Sequence, residues 1–135
     1  MQDYGLRPDG GYYFTADELR CKCRECNGGE MDDAFMAKVV AVRAKRGVPV
    51  AVTSGFRCGA YNDSVSHSGP LGPHTTGHAL DIQISGAEAL GFLTDMLEQG
   101  ITGVGVNQTG THKRRFLHFD DLRSTLHPRP NIWSY

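Results

Sequence analysis

Histidine and aspartate are the residues of this chain whose types and spacing can hold a metal ion. Two short segments concentrate them, Pro73-His-Thr-Thr-Gly-His-Ala-Leu-Asp81 and Phe116-Leu-His-Phe-Asp120. A hydrolytic zinc takes three protein ligands from His, Asp or Glu and keeps a fourth position for water. Such ligands must converge from rigid elements. Each segment ends in an alternating stretch that turns a metal-capable group away from its apolar side. If the two stretches are neighbouring strands, Asp81 and His118 meet, and His74 folds in from the loop before Asp81 through a turn that Gly77 permits. Spacing alone leaves a second reading open. With six histidines in the chain, any one is more often a surface or hydrogen-bonded residue than a ligand, and Asp81 by itself can be solvated on an exposed sheet face.

The elements that must position these residues follow from periodicity. Ala79-Leu-Asp-Ile-Gln-Ile84 sets Leu80, Ile82 and Ile84 on one face and Asp81 on the other, and Phe116–Asp120 sets Leu117 and Phe119 opposite His118 and Asp120. Val48–Thr53, rich in β-branched residues, predicts another strand, and Gly103–Val106 a short one. Phe35, Met36, Val39, Val40 and Val42 recur at helical spacing and predict a helix over Asp32–Arg46, ended by Gly47. Thr15-Ala-Asp-Glu18 and Ser85-Gly-Ala-Glu88 both have the pattern of a capping box. The second predicts a helix over Ala87–Gln99 carrying Leu90, Leu93, Thr94 and Leu97. Gly55–Pro73 reads as a long irregular loop, of the length usually reserved for function or disorder. Asn107–Arg115 reads as a polar connection, and the tail with Pro128, Pro130 and Trp133 as irregular chain packed on the surface.

Composition bounds the function. A chain of 135 residues, 39% apolar and 21% charged, predicts one soluble globular domain over residues 1–135. Fourteen basic against fifteen acidic residues, a formal charge of −1, give no case for nucleic acid or an anionic membrane. No stretch approaches the roughly 20 apolar residues of a membrane span. The amino terminus lacks the basic start and apolar run of a secretory signal. The expectation is therefore a monomer made in the cytoplasm.

The segments Ser54-Gly-Phe-Arg57, Asn62, His74-Thr-Thr-Gly77-His-Ala79-Leu-Asp81-Ile82, Gly103-Val-Gly105 and Phe116-Leu-His118-Phe-Asp120 stand in an order that resembles the zinc D-alanyl-D-alanine carboxypeptidase family. Phage endolysins and murein endopeptidases belong to it, and it shares its fold with the hedgehog signalling domain. The similarity runs from about Phe14 to Asp121, and its specific part is His-x-x-Gly-x-Ala-x-Asp. The resemblance implies Zn²⁺ held by His74, Asp81 and His118. It casts Arg57 as the arginine that binds substrate and stabilises the oxyanion, a role suited to a permanently charged guanidinium. Asn62 either orients substrate or caps a turn. His78, four residues after His74, stands outside the ligand set, because the strand pattern that follows excludes a helical His-x-x-x-His pair.

The proton carrier is open between two residues. Many relatives have a carboxylate three residues before the last ligand, where this chain has Arg115; His112 stands six before it, and Asp120 two after it on the same face. Asp120 can instead orient a ligand. A second departure is Gly72, where the family usually has serine. Cys21, Cys23, Cys26 and Cys58 admit a structural zinc, disulfides or free thiols.

The expectations are an α+β fold with a small antiparallel sheet carrying the zinc site and the two longer helices packed on it. The activity expected is hydrolysis of a peptide bond next to a D-amino acid in peptidoglycan stem peptides, by carboxypeptidase or endopeptidase action, with access to the wall through phage-type release. A catalytically inactive zinc-binding module of the same fold is the alternative, favoured by the missing carboxylate at Arg115.

Overall fold

The two alternating segments are adjacent antiparallel strands. In the computed structural model, which describes residues 1–135, the elements in chain order are β1 (Tyr4–Leu6), β2 (Tyr12–Phe14), α1 (Ala16–Leu19), α2 (Asp33–Arg46), β3 (Ala51–Ser54), α3 (Gly59–Val65), β4 (Ala79–Gln83), α4 (Gly86–Glu98), β5 (Gly103–Asn107), β6 (Phe116–Asp120) and β7 (Asn131–Ser134). β1 and β2 form a separate antiparallel pair, and the other five strands make one sheet in the order β3-β4-β6-β5-β7. β4 runs antiparallel to β6 with Asp81 directly across from His118.

One face of that sheet is the core. Leu80 and Ile82 from β4, Leu117 and Phe119 from β6 and Val104 from β5 pack against Phe35, Met36, Val39 and Val42 of α2 and Ala89, Phe92 and Met96 of α4. Each such side chain contributes on the order of 2 kcal/mol by leaving water. The opposite face receives the polar members of the same alternation.

The longer helices are positioned by their ends and by ion pairs. Asp32 caps α2 by accepting the Phe35 amide at 2.8 Å, and basic residues fill its last turn, where the helix dipole favours them. Arg46 joins α2 to α4 through Asp95 at 3.2 Å and Glu88 at 3.3 Å. Thr15 and Glu18 form the expected capping box on α1.

Six expectations need correction. The sheet is mixed rather than antiparallel, because β7 lies parallel to β5. The tail is thus a strand, its edge position tolerating the prolines just before it. The Gly55–Pro73 stretch is largely regular, containing α3 and 3-10 turns at Gly69–Leu71 and, beyond it, Pro73–Thr76. β3 begins only at Ala51, after Pro49, which has no amide hydrogen to pair. At α4 the second capping box is absent: Ser85 makes no cap bond and its hydroxyl instead meets His112 Nδ1 at 2.7 Å. The buried stripe of α4 is Ala89, Phe92 and Met96, which leaves Leu90 and Leu97 exposed.

Candidate metal centre

Three side chains converge on the polar face of the sheet. Asp81 and His118 are cross-strand partners on β4 and β6. His74 comes from the 3-10 turn Pro73–Thr76, which is pinned to the loop after β3: the Arg57 amide donates to the His74 carbonyl at 3.0 Å, and His74 Nδ1 lies 2.7 Å from the Gly55 carbonyl oxygen. All three are buried.

The hydrogen bonds of the two imidazoles select their free nitrogens. His74 donates from Nδ1 to Gly55, so Nε2 presents its lone pair, 3.2 Å from Asp81 Oδ1. His118 donates from Nε2 to Asp120 Oδ2 at 2.8 Å, so Nδ1 presents its lone pair, 2.9 Å from the same Asp81 oxygen. Two neutral nitrogens and one carboxylate oxygen thus face a single point. Ligand atoms about 2.0–2.1 Å from one zinc at tetrahedral angles stand about 3.4 Å apart. The donor set and its spacing fit a divalent cation of borderline softness, with small relaxation.

Protonated, the same two imidazoles pair with Asp81 instead. Burial opposes the charge on Asp81, but attraction to His74 and His118 and the hydrogen bonds from them outweigh it and hold the carboxyl well below the usual carboxylate range. Burial lowers His118, while its bonds to Asp120 and Asp81 raise it above its ordinary value. Asp120 is also opposed by burial, and its bonds to His118 and Arg129 push it down to about 2. Arg129 grips Asp120 with two nitrogens, each at 2.9 Å. Asp120 is fully buried and its oxygens are committed to those bonds, so it orients His118.

Arg57 stands beside the cluster with NH2 3.6 Å from Asp81 Oδ2. Its Nε donates to Ser54 Oγ at 2.8 Å and its NH1 to Asn62 Oδ1 at 3.1 Å. Asn62 is fully buried on α3, and its amide nitrogen donates to Ser68 Oγ at 2.9 Å and to the Gly69 carbonyl. Its place is therefore behind Arg57, holding the guanidinium and the following loop. Ser68 also accounts for Gly72: a Cβ there would lie 2.1 Å from Ser68 Oγ, so a hydroxyl from another part of the loop fills the space a serine at Gly72 would need.

The cluster forms part of the wall of an open groove of about 580 Å³, lined among others by Arg57, His67, His127, Trp133 and Tyr135. Trp133 and Tyr135, brought in by β7, cover the glycine face of β5. The Trp133 ring lies tilted at 51° with its centroid 5.1 Å from that of His118, and a Cβ on Gly105 would stand 2.7 Å from Trp133 Nε1 and 3.0 Å from His118 Cβ. Glycine at 105 is what lets these rings approach the sheet. Arg129, Trp133 and Tyr135 escaped the sequence reading, whose only signal for them was an aromatic residue in a proline-rich tail.

His112 is not brought to the cluster. It lines a different cavity, with Val48, Val50 and Glu88, and is bonded to Ser85. Arg115 turns away to the Gly110 carbonyl at 2.8 Å. Asp81 is the only carboxylate lining the groove. His78 lies outside the ligand set, its Nδ1 2.8 Å from Asp121.

A comparison with curated proteins gives no match. The family model of peptidase M15 matches residues 12–120, a stretch that spans Arg57, His74, Asp81, His118 and Asp120 and ends before Arg129 and β7. The chain belongs to the peptidase M15 family, the zinc D-alanyl-D-alanine carboxypeptidases.

Proposed function

We propose that the protein is a zinc metallopeptidase of the hedgehog/DD-peptidase fold, acting as a monomer on peptidoglycan stem peptides and hydrolysing a bond next to a D-amino acid. The observation that carries this reading is the convergence of His74 Nε2, Asp81 Oδ1 and His118 Nδ1 beside the Arg57 guanidinium at an open groove. A zinc ion held there supplies Lewis acidity toward the scissile carbonyl and toward water.

The chain's own residues supply the rest. Arg57, immobilised by Ser54 and Asn62, offers its guanidinium to the carbonyl oxygen as negative charge develops on it. Asp120 and Arg129 fix the His118 ring so that Nδ1 keeps its aim. Trp133 and Tyr135 give the groove an aromatic wall against which a short peptide backbone can lie. Tyr135 as a residue is exposed, but desolvation at its hydroxyl end raises the phenol above its ordinary value, so it is a donor at neutral pH. His67 and His127 are the imidazoles in the groove outside the ligand set, His127 with Nε2 donating to the Leu71 carbonyl at 3.0 Å, and they join His112 and Asp120 as candidates for moving a proton.

The test is incubation of zinc-loaded protein with purified peptidoglycan. New free amines are the expected result, with released D-alanine marking carboxypeptidase action and shortened crosslinked fragments marking endopeptidase action. The second reading, a zinc-binding module without catalysis, rests on the absence of any carboxylate but Asp81 in the groove lining. It predicts wall binding with no amine released. Phage-type release to the wall is part of the proposal, and a holin gene beside this one would support it.

A further inference from the structure

The loop after α1 is held by little of its own. Between Cys21 and Met31 the buried residue is Gly28, there is no helix or strand, and Arg24 adopts a left-handed φ of 61°. So little apolar burial does not offset the entropy of ordering such a segment. What the loop does present is sulfur. Cys21, Cys23 and Cys26 meet Cys58, which directly precedes α3, and all four Sγ atoms lie within 4.8 Å of one another. None is disulfide-bonded.

We propose that Cys21, Cys23, Cys26 and Cys58 bind a second, structural zinc ion as a tetrathiolate. Four sulfurs each about 2.3 Å from one zinc at tetrahedral angles are about 3.8 Å apart, and Cys58 Sγ lies 3.8 Å from Cys23 Sγ. Each sulfur faces the other three, the arrangement a tetrahedral centre needs, whereas two disulfides require two separate pairs at covalent distance.

The backbone is arranged to stabilise thiolates. The Glu25 amide donates to Cys23 Sγ at 3.4 Å, the Gly28 amide to Cys26 Sγ at 3.3 Å and the Cys58 amide to Cys21 Sγ at 3.3 Å. Amide bonds to metal-bound sulfur are a recurrent support for such centres. Four thiolates around a dication leave net negative charge, and Arg20, Lys22 and Arg24 alternate with the ligands along the chain. The consequence reaches the groove: Cys58 follows Arg57 directly, so the ion ties the amino-terminal loop to the segment that presents the guanidinium. The cluster uses none of the residues on which the peptidase reading rests.

Metal analysis of the reduced, purified protein tests this, with two zinc ions per chain expected. His74→Ala should lose one equivalent and keep the other, and Cys26→Ser should do the same in reverse. With cobalt(II) in place of zinc, the intense thiolate-to-cobalt charge-transfer bands should persist in His74→Ala and vanish in Cys26→Ser. If Cys26→Ser does not fold, alkylation of the unmodified protein still decides: all four thiols should resist iodoacetamide until a chelator is added. Free alkylation of all four without chelator, absence of the charge-transfer bands, or a mass lower by the hydrogens of two disulfides would overturn the proposal. A single zinc retained in both His74→Ala and the parent, with cobalt–thiolate bands, would uphold this site while removing metal from the peptidase reading.

Discussion

Asp81 and Asp120 lie on one face of the sheet, facing the two ring nitrogens of His118 at 2.9 and 2.8 Å, yet their surroundings give them different work. Asp81 shares its oxygen with two lone pairs and borders the groove, whereas Asp120 is enclosed with Arg129. Replacing Asp81 by alanine should therefore release the metal, because two neutral imidazoles hold a dication weakly; metal content after dialysis measures it. Arg57→Ala should retain the metal and lower kcat on the order of 100-fold, since its contact strengthens as the oxyanion forms. Parent turnover with full metal occupancy would remove that role. For Asp120, the folded carboxyl at about 2 lies below its unfolded value near 4. Its contribution, on the order of 2 kcal/mol, is present above about pH 4 and is lost as pH falls through 2. Urea unfolding with chelator present should show the parent losing stability across that window and Asp120→Asn, weaker at neutral pH, losing much less.

Among the elements, the two capping patterns show how a local signal competes with a distant partner. Thr15 forms its capping box because nothing else reaches its hydroxyl, while the Ser85 hydroxyl pairs with His112 Nδ1, 27 residues away. Asp32→Ala should accordingly cost about 1 kcal/mol by uncapping α2, and Ser85→Ala should change unfolding free energy by less than about 0.5 kcal/mol; equilibrium denaturation separates them. β5 depends on small residues more than on strand propensity. Gly105→Ala would press its Cβ on His118 and Trp133, and the displaced imidazole should weaken metal affinity on the order of 10-fold or more, measured by competition with a chromophoric chelator.

At the scale of the molecule, the sheet order brings the loop after β3 and the tail strand β7 to the same groove, Arg57 from one and Trp133 from the other. Deleting residues 131–135 removes an edge strand and leaves the β3-β4-β6-β5 sheet intact, so the variant should keep its metal and show a raised KM with a smaller change in kcat; peptide kinetics on the two proteins checks this. The convergence of His74, Asp81 and His118 into a group able to hold a metal was legible in the sequence. Alternation fixes the face on which Asp81 and His118 project, whatever surrounds them, and the His-x-x-Gly-x-Ala-x-Asp spacing carried the family resemblance that named His74. The α2 helix was legible for the same reason, since its 3.6-residue periodicity and its Asp32 cap are contained within one stretch of chain. The parallel pairing of β7 with β5, the hydroxyl of Ser68 filling the space at Gly72, the capture of Ser85 by His112 and the gathering of four sulfurs join positions with no common local pattern. Side-chain direction is set by backbone period within a few residues, but which partner a side chain meets across dozens of residues is set by packing and chain closure, and those exist only once the molecule has folded.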